Sequence, residues 1–395
     1  MQHPHDDALP ELASLLDPLE ASAMLEAALS DTGEHVVEVR VVDVSYRPGR
    51  RATVRYAAIL LGRDGERTTT GFTAWIGDRI PRGGLRLQSQ GAEIGVWRFP
   101  DDPYLPGLSI ASSTAGAARL LNDLGVEAEQ AEVTLRAYRP GRRAVVEVHV
   151  GALSVFIKVV RPSRVEALQQ LHTALTGSVP IPRSLGWSPK QGLVVLERLA
   201  GKSLSDSLVS GTATMVPSAD DLVEMLSRLE ASEVPARSRP ASVDRVAEHA
   251  ATITAVLPEL HSDLQGVVER TADIGVESTI TAHRDFHAGQ LLIHQGQARL
   301  VDIDTVGPGT RADDMAMFIA QLVCLARPGP NATAISEYLM QIASTDLVDA
   351  AALDGRVAAS LLGFALGPFR VQEADWETET RRRISAAVKW SLGRG

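Results

Sequence analysis

The chain has 395 residues, more than one compact core usually serves, so two or three domains are expected. A formal net charge of −10 argues against nucleic acid as a partner, because that role asks for a basic face. No apolar run reaches the roughly 18 residues of a membrane span, the acidic start "MQHPHDDALPEL" lacks the basic and apolar regions of a signal peptide, and the lone Cys324 excludes an intrachain disulfide. A cytoplasmic protein with no membrane partner is the expectation.

Residues 8–30 carry a helical pattern. The heptapeptide "YRPGRRA" follows at Tyr46–Ala52 and returns at Tyr138–Ala144. The first copy continues "TVRYAAILL" and "GFTAWIGD", the second "VVEVHV" and "SVFIKVVRP". Each reads as strand, Pro-Gly turn, strand, turn, strand, so two related β-meanders are expected. Pro48 and Pro140 preset φ at the turn, and Gly49 and Gly141 follow where φ > 0 is tolerated. Aligning Phe72 with Phe156 sets Ala74 against Lys158, a lysine inside an otherwise apolar strand. Such a lysine is costly unless it meets an anion, which marks the second copy as the active lobe and the first as a degenerate cap. "ASSTAGAARLLNDLG" reads as a helix ending at Gly125 that joins the copies. Residues 164–176 form a further helix, and "QGLVVLERLAGKSL" is a strand leading into a loop. From about 203 onward the pattern is mostly helical, with Ser218 as a cap and 355–392 helical again. The fold class is α+β, with domains at 1–125, 126–200 and 201–395.

Phosphoryl transfer needs positioned phosphates, metal ions and a carboxylate aimed at an acceptor hydroxyl, and the chain offers these parts in order. Lys158 could grip phosphates, or could be an edge lysine reaching water. Glu166, on the following helix, could hold Lys158 or simply be solvated, and Glu147 is another carboxylate near this lobe. Arg139, Arg142 and Arg143 line the turn that would cover a nucleotide, although the first copy carries the same arginines. Glu197 and Leu199 are placed to meet a nucleobase through main-chain groups. In "HRDFHAGQ", Asp285 follows His283 and would orient the acceptor hydroxyl. The turn "HQGQ" lies between two apolar strands, and that hairpin would bring Gln290 to Asp302. Both offer oxygen to Mg2+. Asp304 reaches either metal or water. His287 is structural, satisfying the loop's own backbone.

With these residues in hand, the stretch 283–316 resembles the aminoglycoside phosphotransferase and choline kinase superfamily, whose loop, metal strand and distal helix start are matched by "HRDFHAGQ", "LVDID" and "DDMA". The resemblance covers roughly 128–395 and implies an eukaryotic-kinase-like two-lobed fold, with Asp314 as the structural Asp that ties the helical lobe to the loop. The preceding repeat resembles the N-terminal cap of the maltokinase and actinobacterial glucosamine kinase branch, which also carries Gln at the metal-ligand position. Arg284 replaces the usual Gly and Gln290 the usual Asn. A protein kinase is disfavoured, because Asp302 to Asp314 is only twelve residues, too short for an activation loop. The resemblance implies ATP and Mg2+ as cofactors and a small-molecule acceptor, on a monomer or weak homodimer. Arg370, Gln372, Glu373 and Trp376, in "GPFRVQEADWETETRRR", are the expected acceptor-binding residues, and an amino sugar or aminoglycoside-like compound the favoured acceptor. The alternatives are a neutral sugar kinase of the maltokinase type and a nucleotide-binding regulatory pseudokinase.

Overall fold

Two residues, Asp17 and Pro18, break the predicted helix over 8–30 into two. In the computed structural model, which describes residues 4–393 apart from 90, 213–215, 236–239, 276–278 and 344–349, α1 (Leu12–Leu16) ends at Asp17. The Asp17 carboxylate then accepts the N–H groups of Leu19 at 2.8 Å and Glu20 at 3.2 Å, and Pro18 opens α2 (Pro18–Ala28). That is a standard helix start: an acceptor at the cap and a residue that has no N–H to lose.

The first repeat folds into β1 (His35–Arg47), β2 (Arg51–Leu61), β3 (Arg67–Gly77), β4 (Leu85–Ser89) and β5 (Ala92–Arg98), in the order β1-β2-β3-β5-β4. Alternate residues of β2, namely Val54, Tyr56, Ala58 and Leu60, are buried against α1 and α2, and the Tyr56 hydroxyl donates to the Leu15 carbonyl at 2.8 Å. Helices α3 (Leu108–Ala111) and α4 (Thr114–Asp123) join the copies, the latter capped by Ser113. The second repeat gives β6 (Glu132–Arg139), β7 (Arg143–Val150), β8 (Leu153–Val160), β9 (Ser184–Ser188) and β10 (Leu193–Glu197), in the order β6-β7-β8-β10-β9. The two sheets therefore share one topology. They differ between their third and fourth strands, where the second carries α5 (Pro162–Leu175) and the first only a short connection.

Register corrects the alignment of the copies. Lys158 stands opposite Val145, and the residue opposite Thr53, at the same distance from the repeated turn, is Trp75 rather than Ala74. A slip of one residue reverses the face of a strand, so the first copy has a buried tryptophan where the second has its buried lysine.

The shared heptapeptide has a shared job. In each copy one aspartate oxygen accepts both the tyrosine hydroxyl and the turn glycine N–H. Asp6 binds Tyr46 and Gly49 at 2.8 Å each, and Asp102 binds Tyr138 at 2.9 Å and Gly141 at 2.6 Å. Gly141 is also obligatory. Its φ is +64°, and a Cβ there would lie 2.9 Å from the Tyr104 ring and 3.2 Å from that of Trp75.

The chain then turns helical. β11 (Lys202–Ser203) leads into α6 (Leu204–Ser210), α7 (Ala219–Glu230), α8 (Val246–Val256) and α9 (His261–Thr271); Ser218 and Asp221 form a capping box at α7. β12 (Ile280–Ala282), β13 (Leu291–His294), β14 (Gln297–Leu300) and β15 (Gly307–Gly309) follow, as a three-stranded sheet β11-β13-β14 and a β12-β15 pair. α10 (Arg311–Leu325), α11 (Ala332–Ala343), α12 (Ala350–Ala365), α13 (Gly367–Arg370) and α14 (Trp376–Ser391) complete the chain. A β-rich first half and a helical second half give the expected α+β class. Among the described residues no helix is long and apolar enough to cross a membrane.

Candidate active site

The loop between β12 and β13 is held from behind by Asp314, near the start of α10. Its carboxylate accepts the N–H of His283 at 2.7 Å and of Arg284 at 2.6 Å, fixing Arg284 at φ +65°. Burial pushes the Asp314 carboxyl up to about 7, against the pull of those two N–H donors. His283 is fully buried, its carbonyl accepts the Thr305 hydroxyl at 2.8 Å, and burial lowers its ring below the usual histidine range, so it is neutral. Gln321 accepts the Ala288 N–H at 2.8 Å. Nothing in the sequence pattern singled out Gln321, which lies 33 residues from its partner.

The β13–β14 hairpin forms as the sequence expects, with Leu291 opposite Leu300, and it brings Gln290 to Asp302. The Gln290 amide lies 3.4 Å from Asp302 Oδ2 and 3.2 Å from His287 Nε2. His287 Nδ1 accepts the Gly289 N–H at 3.1 Å, so its proton is on Nε2. The Gln290 amide nitrogen donates to Asp302 Oδ2.

Asp302 is strained into the left-handed region at φ +57°. Its carboxylate takes Lys158 Nζ at 2.6 Å and two bonds from Arg143 at 2.9 and 3.0 Å; Asp304 also pairs with Lys158 and lies 3.3 Å from Arg143. Burial alone would raise Asp302, but Lys158 and Arg143 hold it far below the usual carboxylate range. The same carboxylates overcome burial to keep Lys158 charged although it is only 5% exposed. The anion that the buried lysine requires is therefore present within the fold. Asp304 belongs to this network and does not merely face water.

Asp285 differs from its neighbours. It is half-buried and its carboxylate has no hydrogen bond or ion pair among the described residues. The titratable groups within electrostatic reach of it include Arg139, Arg143, His283, His287 and Asp314.

Several expected residues lie elsewhere. Glu166 is exposed and does not reach Lys158. With Pro162 setting the start of α5, the inward positions are Val165, Leu168, Leu171, His172 and Leu175, and Glu166 falls outside that stripe. Glu147 is buried in its own cluster, with Arg136 at 2.6 Å and Arg198 at 3.2 Å. The Glu197 side chain points away to Arg183, at 2.9 Å, and Leu199, just past β10, has no partner for its N–H among the described residues.

The acceptor cluster also needs correcting. Trp376 is 5% exposed, stacks edge-on against Phe369 at 5.0 Å, and sits in the core of the first sheet. It offers no open face for a ring. Arg370 pairs with Asp43 of β1 at 3.0 Å, Glu373 with Arg327 at 3.0 Å, and Gln372 donates to the Phe369 carbonyl. This segment fastens the helical lobe to the first sheet.

Residues 117–356, more than half of the chain, match the phosphotransferase enzyme family. The chain belongs to that family. It is accordingly a small-molecule kinase. Among solved structures, a thermostable mutant of aminoglycoside phosphotransferase APH(4)-Ia in its apo form shares 12% identity and a TM-score of 0.51, covering 68% of this chain and 97% of that one. Another mutant of the same enzyme, in a ternary complex with AMP-PNP and hygromycin B, shares 13% identity and a TM-score of 0.51 over 70% and 99% of the two chains. At such identity the likeness speaks for the fold, and it is the aminoglycoside phosphotransferase fold. No curated protein matches. The matched range of the phosphotransferase family includes the Lys158–Asp302–Asp304 network, Asp285 and Asp314, and leaves the first sheet outside.

Proposed function

We propose that the protein transfers the γ-phosphate of ATP to a hydroxyl of a small polyhydroxylated acceptor, with Asp285 as the group that receives the hydroxyl proton. The observation that carries the reading is the contrast between carboxylates. Asp302, Asp304 and Asp314 are all engaged, whereas Asp285 has no hydrogen-bond or ion-pair partner among the described residues and is free to take a hydrogen bond from a ligand. Asp285 orients the hydroxyl, its oxygen attacks the γ-phosphorus in line, and the bond to the β-phosphate oxygen breaks.

Asp302 and the Gln290 side chain, whose amide nitrogen donates to it at 3.4 Å, would supply two oxygens of the kind a hard divalent cation takes once the amide turned over. Gln in place of Asn adds a methylene but keeps that oxygen. Mg2+ bound there would neutralise phosphate charge, its remaining ligands coming from water and phosphates. Lys158 and Arg143 already lie against Asp302 and would turn to the phosphates. The β6–β7 turn would cover them through Arg143, and the backbone of Glu197 and Leu199 would meet the base. His283, His287 and Asp314 shape the loop. The amino-sugar or aminoglycoside-like acceptor rests on the suspected maltokinase and glucosamine kinase branch. The engaged state of Arg370, Gln372, Glu373 and Trp376 gives it no support.

The test is ATP turnover with Mg2+ over a panel of amino sugars, neutral sugars, sugar acids and aminoglycosides, beside Asp285→Asn. Stimulation by one class that vanishes in the variant is the expected result. Normal nucleotide binding with no stimulated turnover by any class would overturn the reading and favour a regulatory pseudokinase.

A further inference from the structure

In a chain of net charge −10, four arginines at one junction have no carboxylate in ion-pair contact among the described residues. Arg47 and Arg51 flank the β1–β2 turn, Arg139 and Arg142 belong to the β6–β7 turn, and none of their side chains has a hydrogen bond or ion pair among the described residues. Arg142 lies within electrostatic reach of Arg139, Arg47, Arg51 and Arg143, Arg139 within reach of Asp285, Asp302 and Asp43, and Arg47 within reach of Glu248. Trp75 is the floor between the two turns: the Arg51 guanidinium sits 5.2 Å from its ring centre, and Gly141 packs against the same ring.

Neighbours in sequence diverge here. Arg143 goes to Asp302 and Asp304 on the lysine side, while Arg142 goes to the arginines of the first repeat. The junction borders the phosphate-side network, since Arg139 and Arg142 both lie within electrostatic reach of Arg143, and Arg139 also reaches Asp285. Arg139 and Arg142 are exposed, and Arg47 and Arg51 half-buried. Unneutralised like charges held together destabilise a fold unless something anionic joins them. Guanidinium groups are the side chains best suited to binding planar or tetrahedral oxyanions.

We propose that this junction is an oxyanion subsite of the acceptor, so that the hydroxyl compound carries a carboxylate, sulfate or phosphate group, whether or not it also carries an amine. This narrows the acceptor class and rests on the reading of Asp285 as the acceptor-side carboxylate.

The test uses the full chain and two independent readouts. The first is sulfate binding without nucleotide, by calorimetry, to the wild type, Arg47→Gln/Arg51→Gln and Arg51→Lys. The second is kcat/KM for matched pairs, glucose against glucuronate and glucosamine against glucosamine 6-phosphate. The expected result is sulfate binding weakened about tenfold or more in the double variant and largely kept in Arg51→Lys, with ATP affinity unchanged. The anionic member of a pair should be preferred, and the double variant should lose that preference. Sulfate binding equal in all three proteins, sulfate competing with ATP instead of the acceptor, or preference for the neutral or cationic member would each overturn the proposal. Sulfate binding lost in the double variant with no turnover of any acceptor would uphold the subsite and count against the phosphotransfer reading instead.

Discussion

Replacing Asp314 by Asn separates the two things its carboxylate does. In the wild type it accepts two backbone N–H groups, from His283 and Arg284, while being 1% exposed. Burial raises its pKa from 3.8 to about 7. Between those values the folded protein holds a proton that the unfolded chain has released. Its stabilising contribution is therefore complete below pH 3.8 and is lost as pH rises through about 7. The gap corresponds to ~4 kcal/mol, of which ~3 kcal/mol falls between about pH 5 and 8. Asn does not titrate, but its amide can accept only one of the two N–H groups and sets a donor against the other, a cost of about 1–3 kcal/mol at every pH. Urea unfolding of both proteins at several pH values from 5 to 8 should show the variant less stable at pH 5, with the deficit shrinking or reversing by pH 8. A constant difference across that range would mean that Asp314 is ionised throughout, and would refute the account of how the loop is held.

Three further outcomes follow from contacts already described. Glu166→Gln should leave ATP affinity unchanged and stability within about 0.5 kcal/mol, since the side chain is exposed and apart from Lys158; a large rise in KM for ATP would show that the pair forms after all. Trp376→Ala should destabilise by about 3–5 kcal/mol in chemical denaturation, as a core truncation does; a stable variant with only a raised acceptor KM would restore it to the acceptor site. Asp102→Asn should loosen the β6–β7 turn, costing about 1–3 kcal/mol and raising KM for both ATP and the acceptor; unchanged kinetics would mean that the turn serves neither.

Local pattern made much of this legible. The two meanders follow from Pro-Gly turns and alternating apolar residues, and the Gln290–Asp302 approach follows from a hairpin whose turn is written in four residues. What was not legible depends on phase or distance. Identity matching misaligned Lys158 with Ala74 because it ignores strand register, and Glu166 was misplaced because its helix phase is set by Pro162. Arg370 and Trp376 look like a free polar-aromatic group in sequence. They are instead engaged by Asp43 and by the core of the first sheet, some 330 residues away. The grip of Asp6 and Asp102 on the repeated turns has no sequence signature, since the two aspartates sit in unrelated surroundings.

The central claim is that Asp285 serves phosphoryl transfer. The most direct measurement is transfer of label from γ-labelled ATP to an acceptor found by the panel, followed in a single turnover for wild type and Asp285→Asn at equal nucleotide occupancy. The account predicts labelled acceptor from the wild type and loss of transfer by a factor of roughly 100 or more in the variant, with nucleotide affinity kept. Equal rates of transfer in both proteins would contradict it.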